Sequence, residues 1–388
     1  MTVRWFALAA LCLVPPSAQE PKLEGPALEA VIEGLATELE THYIFPDVAK
    51  QLAEHLRQRM FDGAYEGLDL ATLAGRISTD LKKVNGDGHL NAWPVPQGNE
   101  RRAGPTPEEL EREERERARR SNHGFKKLEI LEGNIGYLEL TGFAPAEVAG
   151  ETAVAAMAFF ANVDALVIDL RANGGGDPSM LQLLCTYFFA ERTLLNRFER
   201  RGVAQLEEYW TLPHVPGKKL VDVPIFLVTS QRTFSCAEEF SYDLRNLERA
   251  RLFGETTGGG AHPGSSHEIA GKLMVFIPDG RALNPITGTN WEKVGVQPHV
   301  AVPASQALDK ALEEARAAHS SSMRRASTKS FVESPPTACV HSTSSSLFQP
   351  VRWKSGWCCS SSASIPTRFI QASAARKSAS VNVRRRRG

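Results

Sequence analysis

Between residues 125 and 254, short runs rich in β-branched and aromatic side chains alternate with segments of helical period. The runs are FKKLEIL (125–131), NIGYLELTGF (134–143), DALVIDLR (164–171) and VPIFLVTS (223–230), each bounded by turn residues. Helical patterns fall at Glu147–Ala161, Pro178–Glu191 and Cys236–Glu248. Strands that alternate with helices specify crossover units on a buried sheet, so this stretch predicts a mixed α/β domain. LFGE (252–255), HEIAGKLMVFIP (267–278) and a turn-rich NPITGTNWEKVGVQPHV (284–300) follow, and a last helix is expected at Ser305–Ala318.

The segment ahead of this domain reads differently. Leu28, Val31, Ile32, Leu35 and Leu39 recur at helical spacing, YIFP (43–46) breaks that helix, and further helices are expected near Val48–Met60 and Leu70–Val84. The third runs into NGDGHL (85–90), a glycine-rich turn carrying His89. Residues 99–122 are almost wholly charged with no apolar face, and they divide an N-terminal helical domain (19–98) from the α/β domain (123–318). From residue 319 to 388 the chain is rich in serine and arginine and lacks an apolar period, the composition of a disordered tail.

At the other end, Arg4 precedes an apolar run from Trp5 to Val14 and small Ala18, the layout of a signal peptide over residues 1–18. The run is shorter than the roughly 20 residues a spanning helix needs, so export to the periplasm or the exterior is expected, without stable membrane insertion. Bulky Leu11 ahead of Cys12 disfavours lipid attachment. The 45 basic and 45 acidic side chains cancel, which removes the global field that nucleic-acid binding uses. The six cysteines show no metal-type spacing, so no structural metal is expected.

Two segments carry chemistry. Ser235 follows a strand and a short QRTF turn and opens CAEEFSYDLRNLERA, where a helix N-terminus offers unpaired amides and its positive dipole end. That is the placement of a nucleophile beside an oxyanion site. It is equally the placement of a helix cap, with Glu238 completing a capping box. The second segment, DLRANGGGD (169–177), puts three glycines at the end of a buried strand, where amides can approach a ligand closely or simply turn the chain. No nucleotide-binding glycine spacing is present, which favours anion stabilisation in acyl chemistry.

Taken in order, YIFP, VNGDGHL, NIGYLELTGF, LVIDLRANGGGD, TSQRTFSCAEEF, LFGETTGGGAHPG and TNWEKVGVQPHV resemble the tail-specific or C-terminal-processing serine peptidases. The branch they are most similar to contains the repeats of interphotoreceptor retinoid-binding protein, and the likeness covers about residues 27–305. The resemblance implies a crotonase- and Clp-protease-like core of β-β-α units with Ser235 as nucleophile. Members that use a lysine base carry it at the end of G-E-T-T-x-G-K, where this chain has Gly260. The branch resembling the tricorn core and a chlamydial secreted protease uses a histidine and a glutamate instead, and His89 and Glu292 match those places.

The resemblance therefore implies a Ser235, His89, Glu292 triad without cofactor or metal, with Cys236 and Gly174 or Gly175 as oxyanion donors. His262 is a competing base, and Asp87 orients the His89 turn. Cys236 stands where relatives often have alanine, His299 where they often have aspartate, and no PDZ insertion is evident. The expected activity is hydrolysis of peptides or unfolded protein segments. A binding module for apolar ligands or peptides, or another acyl transfer on the same scaffold, is the alternative. Oligomeric state is left open.

Overall fold

A computed structural model describes residues 22–95, 112, 115, 116 and 118–332, with side chains described as far as residue 318. The expected signal peptide and residues 333–388 of the expected tail lie outside them, as does most of the charged segment 99–122.

Prolines at the first turns open helices α1 (Gly25–His42) and α2 (Pro46–Phe61), where a missing N–H costs no hydrogen bond. Helix α3 (Leu70–Asn85) is capped by Asp69, whose carboxylate accepts from Thr72 N at 2.8 Å. It ends at Gly86, which has φ 72° and donates its amide to Lys82 O. This left-handed stop turns the chain and delivers Asp87 and His89 just beyond the helix. Strand β1 (Asn91–Pro94) follows.

The α/β part then runs in order through β2 (Phe125–Leu131), β3 (Ile135–Leu140), α4 (Ala146–Phe159), β4 (Ala165–Asp169) and α5 (Pro178–Thr186). A hairpin of β5 (Leu194–Arg200) and β6 (Val203–Trp210) precedes β7 (Ile225–Thr229), α6 (Cys236–Asn246) and β8 (Ala250–Gly254). Then come β9 (Gly264–Ile269), β10 (Leu273–Pro278), β11 (Gly280–Ala282), β12 (Val300–Ala301) and α7 (Ala304–Val332).

Six strands form the central sheet in the order β12-β8-β7-β4-β3-β2, parallel throughout except for the β2–β3 hairpin. Strands β4 and β7 are buried at every residue, as expected where helices cover both faces. One face packs on a core that includes Ala153, Met157, Leu181, Leu184, Phe240 and Leu244 from α4, α5 and α6. The other meets Ala307, Ala311, Leu312 and Ala315 of α7. This is the mixed α/β fold with a helical N-terminal region that the sequence predicted.

Three features differ from the sequence expectations. The segment 267–278 is part of an antiparallel hairpin, with Ala270 and Gly271 at positive φ in its turn, and β10 pairs with β1. Ile269, Leu273, Val275 and Ile277 join the core of the N-terminal helices, so that unit is completed by chain from the other side of the charged segment. The β5–β6 hairpin and β11 form a third sheet that the charged sequence LLNRFERRGVAQLEEYW did not announce, because β6 is largely exposed and lacks an apolar face. Helix α7 continues to Val332, past the expected boundary at 318.

Candidate active site

Ser235 occupies the first turn of α6 as the sequence predicted, but its backbone is not that of an ordinary cap. It has φ 54° and ψ −124°, whereas helix N-caps adopt the β region. Holding a residue with a β-carbon there costs of order 1–3 kcal/mol and persists only where the surroundings enforce it. The enforcing contacts are visible. Thr233 Oγ1 donates to Leu170 O (2.9 Å), Phe234 N to Asn173 O (3.1 Å) and Ser230 Oγ to Arg171 O (2.7 Å). They tie the β7–α6 turn to the glycine loop that follows β4.

Glu238 locks the other side. Its carboxylate accepts from Ser235 N (2.9 Å), Thr257 Oγ1 (2.5 Å), Gly259 N (2.6 Å) and Gly260 N (2.8 Å). Burial pushes its pKa up to about 7, against the pull of those donors. The capping glutamate therefore also fixes the GETTGGG loop beside the serine.

The three glycines have separate duties. A β-carbon on Gly175, which has φ 105°, would lie 2.8 Å from Ser235 Cβ and 3.0 Å from Cys236 N, so only glycine permits that approach. One on Gly176 would lie 2.1 Å from Phe143 O, whereas Gly174 faces open space. The Gly175 amide, one of the expected oxyanion donors, donates to Asn173 Oδ1 at 2.9 Å and is thereby engaged. Among the described residues, no hydrogen bond takes the amides of Gly174, Gly176 or Cys236.

Ser235, Cys236, Gly174, Gly176, His89 and His262 all line one cavity of about 710 Å³. The His89 ring lies against Phe234 and Phe276, with centroids 4.7 and 5.7 Å away. Its Nδ1 is buried without a hydrogen-bond partner, and burial pulls its pKa down to about 4. His262 is buried, and its Nδ1 lies 2.8 Å from Asp87 Oδ2 and 3.7 Å from Glu292 Oε2.

Asp87 is the hub. It accepts from the His89 amide (2.9 Å) and from Tyr43 Oη (2.9 Å) as well as meeting His262. Burial works to raise its pKa, and these bonds outweigh it, leaving the carboxyl below its ordinary value. Glu292 accepts from Ala261 N (2.7 Å), and burial raises its pKa.

The structure thus brings Ser235 and His89 to one cavity but sets Glu292 beside His262, with no hydrogen bond from Glu292 to His89 among the described residues. The cause is local pairing of the two loops. Lys293 N donates to Gly259 O and Trp291 Nε1 to Gly260 O, which carries Glu292 to Ala261 and His262. Tyr43 is a residue the sequence reading missed; its place in YIFP, a motif with no polar pattern, gave no sign of a hydroxyl aimed at Asp87. Asp87, His262 and Glu292 have ligand atoms within 4.8 Å of one another, as do Glu38, His42 and His267 at the surface. The first group already pairs internally, so its geometry does not call for an ion.

The sequence model of peptidase family S41 matches residues 134–302, which contain Ser235, the glycine loop, His262 and Glu292. That of the N-terminal domain of this family in eukaryotic IRBP matches residues 25–126, which contain Tyr43, Asp87 and His89. The chain belongs to peptidase family S41.

Among solved structures, this S41 member is similar to the photosystem II D1 C-terminal processing protease, at 21% identity and a TM-score of 0.36 over 44% of this chain and 42% of that one. It is similar to a lipoprotein from Streptococcus agalactiae at 14% identity and a TM-score of 0.49, over 77% of this chain and 99% of that one. With the tricorn protease the identity is 14% and the TM-score 0.48, over 76% of this chain and 36% of that one. The chain spans less than half the length of the two proteases. Among the described residues no helix is long and apolar enough to cross a membrane.

Proposed function

We propose that this S41 member is an exported serine endopeptidase that cuts peptides or unfolded protein segments, with Ser235 as the nucleophile. The backbone of Ser235 carries the proposal: helix capping needs no positive φ, whereas presenting a hydroxyl into a cavity beside unbonded amides accounts for one. Ser235 Oγ attacks the scissile carbonyl while a histidine takes its proton. The Cys236 and Gly174 amides stabilise the oxyanion, the histidinium protonates the leaving amine, and water releases the acyl group. Such chemistry requires no metal or organic cofactor. Export rests on the leader-like residues 1–18.

His89 is the proposed base, with Glu292 acting in the same charged cluster. It lines the cavity with Ser235, and its buried ring is neutral at pH 7, with a basicity that burial lowers. One observation favours a second reading, in which His262 is the base and Asp87 its orienting acid. His262 Nδ1 is hydrogen-bonded to a buried carboxylate at 2.8 Å, the arrangement that fixes a catalytic tautomer, whereas His89 Nδ1 has no such partner.

Hydrolysis of unfolded casein by the wild type, Ser235→Ala, His89→Ala and His262→Ala tests both. Ser235→Ala is expected to abolish turnover, and loss of the true base to lower it by about 10²–10⁴-fold. A folded wild type without hydrolysis that instead retains apolar ligands in the cavity would establish the binding-module alternative.

A further inference from the structure

Glu239 follows Ser235 by one helical turn on α6, and Asp243 follows Glu239 by another, so the three lie in a row on one face. Glu239 lines the same cavity as Ser235. Both acids are buried, Glu239 with 5% of its surface exposed and Asp243 with none. Each has a single long contact from a neutral amide: Asn196 Nδ2 lies 3.5 Å from Glu239 Oε1, and Asn284 Nδ2 lies 3.3 Å from Asp243 Oδ1. Asp243 Oδ2 is buried without a partner.

Neither acid forms an ion pair among the described residues. Arg200, the cation that shares the cavity wall, is taken by Glu207 at 3.2 Å and Asp279 at 2.8 Å. A carboxyl pair in a core ordinarily has a cation or several donors, because uncompensated burial costs several kcal/mol per charge. Here the cation on the cavity side, Arg200, acts on Glu239 only through space, because its hydrogen bonds go to Glu207 and Asp279. Burial raises the pKa of both groups, that of Glu239 to about 8 against the pull of Asn196 and Arg200. The same cavity has aromatic walls that include Phe143, Phe198, Tyr209 and Trp291, surfaces that accept both the alkyl stem and the cationic head of a long basic side chain.

We propose that Glu239 is a specificity residue that receives a lysine or arginine side chain of the peptide substrate next to the scissile bond. The head group pairs with the Glu239 carboxylate, whose proton leaves to solvent as the cation arrives, and the stem packs along the aromatic wall. This assignment rests on the peptidase reading for the bond that is cut, whereas cation binding by Glu239 does not.

Binding is therefore tested apart from catalysis. The full chain carrying Ser235→Ala is titrated with p-aminobenzamidine, followed by ligand fluorescence, with uncharged p-aminobenzamide as the control. The amidine should bind saturably and at least tenfold more tightly than the amide, and adding Glu239→Gln should erase that difference. Equal binding of amidine and amide to the Ser235→Ala chain overturns the proposal without any substitution at Glu239, so a misfolded Gln variant cannot obscure the answer. On the active chain, Glu239→Gln should lower the ratio of kcat/KM for arginine over leucine peptides at least tenfold. Hydrolysis with no preference for basic residues would sink the proposal and leave the peptidase reading standing. Amidine binding that needs Glu239 in a chain without hydrolysis would do the reverse.

Discussion

Replacing Ser235 by glycine should give a more stable protein than replacing it by alanine. Both substitutions remove the hydroxyl, so they differ only in the backbone they prefer. Alanine keeps the β-carbon that makes φ 54°, ψ −124° costly, by about 1–3 kcal/mol, and glycine removes that cost. Glycine also gives the unfolded chain more freedom, which offsets about 0.4–1 kcal/mol of the gain. The expected net advantage of Ser235→Gly over Ser235→Ala is about 1 kcal/mol, or roughly 2 °C in Tm for a domain of this size. Urea unfolding of the two inactive variants, with m-values compared, measures it directly. If Ser235→Gly is equal to or less stable than Ser235→Ala, the positive φ stores no strain, and helix capping suffices to explain the serine.

Gly260→Ala should disturb the site more than the fold, because the new β-carbon would fall 2.3 Å from Phe234 Cζ and 2.7 Å from His89 Cε1. A loss of at least tenfold in kcat/KM with retained secondary structure by circular dichroism is expected. Glu238→Ala leaves Thr257, Gly259, Gly260 and Ser235 donors without their acceptor, and unfolding titrations should show a loss of about 3 kcal/mol or more. The His89 pKa of about 4, against about 6.5 when unfolded, means that the folded chain binds fewer protons than the unfolded one between those values. Its contribution to stability is thus lost as pH falls from about 6.5 to 4, amounting to about 3 kcal/mol in full. The stability difference between wild type and His89→Gln should change by that amount across this window, and a pH-independent difference would place His89 in solvent.

The parts of the molecule that could be read in advance are those where one physical requirement dominates. Strands β4 and β7 announce themselves as ALVI and IFLV because burial on both faces leaves no polar position, and Ser235 stands out because a turn and an amphipathic helix follow such a strand. Gly175 and Gly176 likewise reflect backbone approaches that no side chain allows. What could not be read depends on pairing between distant segments. The β9–β10 hairpin completes the N-terminal core through β1, a contact that no local period encodes. Glu292 carries no mark telling that Trp291 and Lys293 would draw it to His262 rather than His89. Tyr43 and Asp87 are separated by a whole helical hairpin, and their hydrogen bond exists only once α1 and the α3 stop have packed. Glu239 carries no sign of burial in CAEEF, because the packing of α6 decides which of its faces is covered.

The most direct test of the proposed nucleophile is labelling of the folded protein with a fluorophosphonate probe, with the modified residue located by peptide mass spectrometry. Stoichiometric modification of Ser235 that disappears in Ser235→Ala, and slows strongly when the base among His89 and His262 is removed, is the predicted result. A folded chain that leaves Ser235 unlabelled while free serine hydrolases in the same assay react would contradict it.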